Sequence, residues 1–125
     1  GFTYSGHPLA VAAANATLSL YKDEGLFERS RAMEQPFAEA MMSLKGLPHV
    51  ADIRPIGMMC GIDLDSVAGK AGQRGYDALE RAFFEHDLYV RFATDTIVTA
   101  PPLIASEDDI GQIRDRIAAL LKGLA

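Results

Sequence analysis

Tryptophan is absent from this chain, and cysteine occurs once, at position 60. A lone thiol excludes any internal disulfide, and a reducing, cytoplasmic setting is the expectation that follows. Cys60 lies in the apolar run Met58-Met59-Cys60-Gly61-Ile62. Nothing electropositive is near it in sequence to activate it, so it reads as a buried core thiol and not as a nucleophile. No apolar stretch reaches the length needed to span a bilayer, and no basic-then-apolar leader opens the chain. A membrane is therefore not an expected partner. Positive charge is also in short supply: 12 Lys and Arg against 17 Asp and Glu leave a net charge of -5. That balance argues against nucleic acid, which wants a basic face, and serves solubility. The three histidines, His7, His49 and His86, are too far apart for metal-ligand spacing, so no metal site is expected. No tandem repeat or low-complexity segment is visible.

What remains is ordinary globular material. The 125 residues are 49% hydrophobic and 23% charged, enough for one compact domain with a real core. With Gly at position 1, the opening reads as an internal start, a piece of a longer chain. A helix is predicted over 8–24, closed by Gly25. Its first half is nearly all small residues and is the least able to bury its surface within this domain. A second helix is predicted over 26–44, with Leu26, Phe27, Phe37, Ala40, Met41 and Leu44 as its apolar stripe and Pro36 kinking or splitting it. Two short apolar runs, 50–56 and 58–64, read as a strand pair. A third helix follows over 73–86, with Tyr76, Leu79, Ala82 and Phe83 facing the core. Segments 88–92 and 96–100 form a hairpin across Ala93-Thr94-Asp95, ended by Pro101-Pro102. Ser106 caps a last helix, and Asp109 three residues on approximates a capping box. Ile110, Ile113, Ile117, Leu120 and Leu121 are its buried face. The order predicts an α+β fold: a small, mainly antiparallel sheet with helices packed on one face, preceded by a long helix.

Three places could carry chemistry. The opening Gly1-Phe2-Thr3-Tyr4-Ser5-Gly6-His7-Pro8 is a hydroxyl-rich turn feeding a helix whose first residue is Pro8, where a missing N–H costs nothing. Its hydroxyls either cap the helix or, with free backbone N–H groups at the positive end of the dipole, cradle an anion such as a phosphate. Arg91 sits in a predicted strand, and alternation places it with Tyr89 on the face opposite Leu88, Val90 and Phe92. There it either points to solvent or holds a carboxylate in a pocket. The Gly-rich stretch 69–75 lacks the Gly-Lys-Ser/Thr ending of a phosphate loop and reads as a flexible loop.

The opening octapeptide and its Ala-rich continuation resemble the class III aminotransferases, which are pyridoxal-phosphate (PLP) enzymes. Within that family the chain is most similar to the omega-amino acid (beta-alanine)–pyruvate transaminases. The resemblance continues in order through 21–29, 46–50 and 52–57. It resumes at Val90-Arg91-Phe92 and Asp95-Thr96-Ile97-Val98-Thr99-Ala100-Pro101-Pro102-Leu103-Ile104, so it spans nearly the whole chain. It implies that the chain is the C-terminal small domain of a fold-type I PLP enzyme. Residues 1–25 would be a phosphate-contacting turn and linking helix, and residues 26–125 the small domain proper.

The resemblance also implies roles. Arg91 matches the arginine that binds the substrate α-carboxylate, by the two parallel hydrogen bonds a guanidinium makes to a carboxylate. Thr3 matches a threonine that contacts the cofactor phosphate from the neighbouring subunit of a dimer. Phe2 beside it would wall the partner's substrate pocket, the alternative being core packing. The family's Schiff-base lysine and the acid beneath the pyridine nitrogen lie upstream, in the large PLP-binding domain. Lys22, Lys45, Lys70 and Lys122 match neither, so the chain alone is expected to be inactive and to carry no catalytic residue. The full enzyme would move an amino group from an omega-amino acid or amine to pyruvate. Ala93-Thr94 stands where many relatives have a small residue and glycine, which bears on how freely Arg91 moves. Two other readings stay open: a stand-alone α+β module that binds a carboxylate metabolite for regulation, without catalysis, and a structural dimerisation domain.

Overall fold

A computed structural model describes residues 1–124. Four helices and four strands follow in the order α1 (Pro8–Asp23), α2 (Leu26–Met42), β1 (Val50–Ile56), β2 (Met59–Leu64), α3 (Gln73–His86), β3 (Arg91–Ala93), β4 (Thr96–Thr99) and α4 (Glu107–Gly123). The sheet is wholly antiparallel, in the order β1-β2-β4-β3. Helices α2, α3 and α4 gather against one of its faces, so the fold is the expected α+β sandwich.

Period-2 alternation decides which face is which. Ile53, Cys60, Ile62, Leu64, Ile97 and Thr99 point inward and are buried. They meet Phe37 and Met41 of α2, Ala78 and Ala82 of α3, and Ile117, Leu120 and Leu121 of α4. Cys60 is in the middle of this core, and burial pushes its thiol pKa up, which leaves it inert. Ser106 caps α4 in full: its hydroxyl accepts the Asp109 N–H, and the Asp109 carboxylate accepts the Ser106 N–H in return.

Helix α1 has no buried residue and packs mainly along α2. Its small-residue face is left open, as its sequence implied. Gly25, at φ 59°, turns the chain from α1 into α2 in the left-handed conformation that glycine adopts freely.

Two expectations need correction, and a third is narrowed. Of the two outcomes expected at Pro36, a kink or a split, the split does not occur: α2 runs unbroken over Leu26–Met42. The N–H that proline lacks leaves the Ala32 carbonyl without its helical donor, but Ala32 is at the surface, where water serves. Burial of Met33, Phe37 and Met41 on either side holds the helix together. Phe27 is not in the buried stripe. It is 62% exposed and packs edge-on against Tyr21 at 5.3 Å. The largest correction concerns α3. Tyr76 and Phe83 face outward and Leu79 is only half-buried, while Arg74, Gly75, Ala78 and Ala82 form the inner face. Small side chains are there because the β3–β4 turn comes within contact distance of the α3 backbone at Gly75. The bulky residues are displaced to the other side, where Phe83 stacks edge-on with Phe84 and Tyr89.

Among the described residues no helix is long and apolar enough to cross a membrane. No group of three His, Cys, Asp or Glu among them could hold a metal ion.

Candidate functional site

Strand β3 begins at Arg91, whose register partner on β4 is Val98. Val98 pairs in turn with Gly61 of β2, and Gly61 with Arg54 of β1. Directly opposed residues share a face, so Arg54, Gly61, Val98 and Arg91 form one row across the sheet, on the side away from the helices. Leu88 and Val90 are buried while Tyr89 and Arg91 are exposed, which is the alternation expected from the sequence.

The two arginines in that row differ in their electrostatics. Arg54 is saturated: it donates to both oxygens of Asp63, one of them through Nη2 at 2.8 Å, and to Asp52 at 2.9 Å. Asp63 also accepts the Thr96 hydroxyl at 2.7 Å. The hydrogen bond from Arg54, then that from Thr96, holds the Asp63 carboxyl below the usual carboxylate range, and Asp63 in turn raises Arg54. Arg91 makes no hydrogen bond or ion pair with any described residue. A guanidinium with all its donors unspent, on an otherwise satisfied sheet face, can take a carboxylate bidentately without displacing an internal partner.

The backbone under Arg91 is anchored at both ends. On one side, Asp87 closes α3 in the left-handed conformation, at φ 48°. Arg116 of α4 donates to the His86 and Asp87 carbonyls, both at 2.8 Å. On the other side, the Thr94-Asp95 turn is bolted to its surroundings. The Asp95 carbonyl accepts the Leu64 N–H at 2.8 Å. Its carboxylate accepts the Ser66 hydroxyl at 2.6 Å and the Gly72 and Gly75 N–H groups at 2.8 Å each.

The N-terminus of α3 is thus an anion site whose anion is internal. That explains the Gly-rich stretch 69–75. Its last three residues begin α3, the Val67–Lys70 bridge precedes them, and the Gly72 and Gly75 amides that could meet a phosphate already donate to Asp95. Asp95 is only 6% exposed. Burial alone would raise its pKa, but the Ser66 hydroxyl, the two amides and the Arg74 charge outweigh burial and hold it below the usual carboxylate range. A depressed folded pKa means that the carboxylate stabilises the fold fully above the ordinary carboxylate range. That contribution is lost as pH falls through the lowered value.

At the opening, Thr3–Gly6 form a turn in which the Ser5 N–H bonds the Phe2 carbonyl and the His7 N–H bonds that of Tyr4. The Ser5 hydroxyl accepts the Phe2 N–H. His7 stands at the N-cap with Pro8 after it, and no side chain caps the helix. The hydroxyls of the turn are therefore not spent on capping. Thr3 is exposed and its hydroxyl bonds to no described residue. Phe2 is 90% exposed, so it is not a core residue of this domain. Within one chain no hydrogen bond or ring contact among the described residues joins Phe2 or Thr3 to Arg91. The opening turn rides on α1, and Arg91 rides on the sheet.

Sequence reasoning did not find Asp95, Gly75 or the Arg54–Asp63 pair. The available signal was a glycine cluster followed about twenty residues later by a Thr-Asp turn, which only the three-dimensional contact makes meaningful.

The family model for Aminotransferase class-III matches residues 1–121. An omega-aminotransferase from Caulobacter vibrioides is 39% identical over 121 residues, covering 97% of this chain and 27% of that protein. The omega-amino acid–pyruvate aminotransferase of Pseudomonas putida is 32% identical, over 99% of this chain and 27% of its own length. Among solved structures, the omega transaminase from Pseudomonas jessenii in complex with PMP superposes with a TM-score of 0.85 at 33% identity, covering 97% of this chain and 28% of that one. The chain thus spans about a quarter of the length of the relatives it matches. With the profile, the pairwise identities and the superposition in agreement over nearly every residue, this chain belongs to the class-III aminotransferase family.

Proposed function

We propose that this chain is the C-terminal part of a PLP-dependent omega-amino acid–pyruvate transaminase, in which it holds the substrate carboxylate. The observation that carries this reading is the free guanidinium of Arg91 on a strand anchored at both ends, in the same cross-strand row as an arginine that is fully paired. Arg91 binds the carboxylate of pyruvate or of an amino-acid donor by a two-pronged contact and so fixes which way the reacting carbon faces.

Thr3 offers an unspent hydroxyl at an exposed turn, and so fits a cofactor phosphate as a neutral donor. Its place in the turn before α1, with no contact to Arg91 among the described residues, suits a contact made to the site of the neighbouring subunit in a homodimer. Phe2, also exposed, lines the pocket beside that phosphate. PLP, when bound, supplies the electron sink through which an amino group is moved. The chain's own lysines do not anchor it. Lys22, Lys45, Lys70 and Lys122 are all exposed, and none has the desolvated setting that makes a lysine nucleophilic. The anchoring lysine belongs to the large PLP-binding domain of the same protein.

Two measurements check this. PLP added to the chain alone should leave no dialysis-stable, stoichiometric absorbance in the near-visible region. A band that disappears when one of the four lysines is replaced contradicts the reading. In the full-length protein, Thr3→Val should weaken retention of PLP by about tenfold, the value of one hydrogen bond to a charged group. Unchanged retention removes Thr3 from the phosphate site.

A further inference from the structure

We infer that Asp95 is a positioning residue for Arg91: its carboxylate, seated in the N-terminus of α3, fixes the backbone from which the carboxylate-binding guanidinium projects. The inference rests on the role proposed for Arg91 and adds a second residue to it.

The structural reason is the brevity of β3. Three residues, Arg91–Ala93, form an edge strand with only three register pairs, too little to hold itself in place. Its order must come from its ends. At the turn, Asp95 uses both of its acceptor groups. The carbonyl takes the Leu64 N–H, and the carboxylate takes three donors from a different part of the chain, on Ser66, Gly72 and Gly75. Thr94, at φ 55°, is held in a conformation that a free turn of ordinary residues avoids. The carboxylate therefore locks a turn that its own sequence disfavours, and the lock is four residues from Arg91.

An amide in its place cannot do the same. The two carboxylate oxygens face donors only, so the –NH2 of an Asn must oppose either the Gly75 N–H or the Ser66 and Gly72 pair. One end of the turn is released, β3 loosens, and Arg91 presents its fork from a wandering base. Polar groups that hold a binding residue in place matter through such loss of orientation.

The test uses the full-length holoenzyme with Asp95→Asn, Arg91→Ala and the double variant. Each is assayed with pyruvate and with an amine donor that has no carboxylate, and hydrogen exchange is read over residues 88–99. Asp95→Asn should raise exchange at 91–96 and raise the KM for pyruvate roughly tenfold, less than the hundredfold that a misplacement of about an ångström costs. The KM for the amine should stay within about twofold. In the double variant Asp95→Asn should add nothing to the Arg91→Ala loss, because the group it positions is gone. Ser66→Ala, which removes one donor and keeps the two amides, should show a weaker form of the same pattern and serves if Asp95→Asn does not fold.

A folded Asp95→Asn with faster exchange but an unchanged KM for pyruvate overturns the inference. Equal losses on both substrates, or full additivity with Arg91→Ala, overturn it too, since they mark a purely structural residue. If Arg91→Ala itself shows no selective loss with pyruvate, the role of Arg91 falls first and the inference falls with it.

Discussion

Replacing Arg91 by Ala in the full-length enzyme should lower kcat/KM for pyruvate, and for donors that carry a carboxylate near the reacting carbon, by about a hundredfold. The figure is two charge-assisted hydrogen bonds at the low end of their worth, ~1.5 kcal/mol each. A donor amine without a carboxylate should lose little, since it has nothing for the fork to grip. Most of the loss should lie in KM, because the contact is made in the bound state as well as at the barrier. Arg91→Lys should recover only part, as an ammonium restores the charge and not the planar pair of donors. Folding stability should move by less than about 0.5 kcal/mol, the range for an exposed side chain without partners, and Arg91 has none among the described residues. Stability and activity therefore separate cleanly at this position. Equal losses on carboxylate and amine substrates would remove its role as a clamp.

The largest effect on stability is expected at Gly75. A Cβ added there would lie 1.8 Å from the Thr94 carbonyl oxygen, 2.9 Å from its carbon and 3.1 Å from the Asp95 Cα. All three are backbone atoms, so no rotamer change relieves the clash. Either α3 or the turn must move, and the Gly75 N–H bond to Asp95 goes with it. Alanine's better helix propensity, worth about 1 kcal/mol, is overwhelmed. Gly75→Ala should cost roughly 3 kcal/mol or more, at or beyond the upper end of overpacking penalties. Gly111, inside α4 with nothing within 4 Å of its added Cβ, is the control. Gly111→Ala should stabilise by about 0.5–1 kcal/mol. Chemical denaturation of the two variants checks both signs. A Gly75→Ala protein as stable as the parent contradicts the close seating of the turn on α3.

These two residues mark where sequence reading succeeds and where it stops. The exposure of Arg91 was legible because a strand has a strict period of two, and the buried neighbours Leu88 and Val90 fix the phase. The cap of α4 was legible because Ser106 and Asp109 interact locally. The inner face of α3 was not. Tyr76, Leu79 and Phe83 repeat at helical spacing, and so do Gly75, Ala78 and Ala82. Periodicity detects both stripes and does not rank them. Close approach of the turn selects the small one, and that contact joins residues about twenty apart. The continuity of α2 through Pro36 has the same origin: flanking side chains hold a helix that local propensity would break. At the site, the sequence pointed to Arg91, Thr3 and Phe2 one at a time, while the carboxylate lock at Asp95 exists only in the folded chain.

The most direct test is a structure of the full-length protein with PLP and a bound carboxylate substrate or analogue. In it the Arg91 guanidinium should be paired fork to fork with the substrate carboxylate, and the Thr3 hydroxyl of one subunit should be bonded to the cofactor phosphate held by the other. A substrate carboxylate gripped by a different residue, with Arg91 turned to solvent, would contradict the role proposed for Arg91.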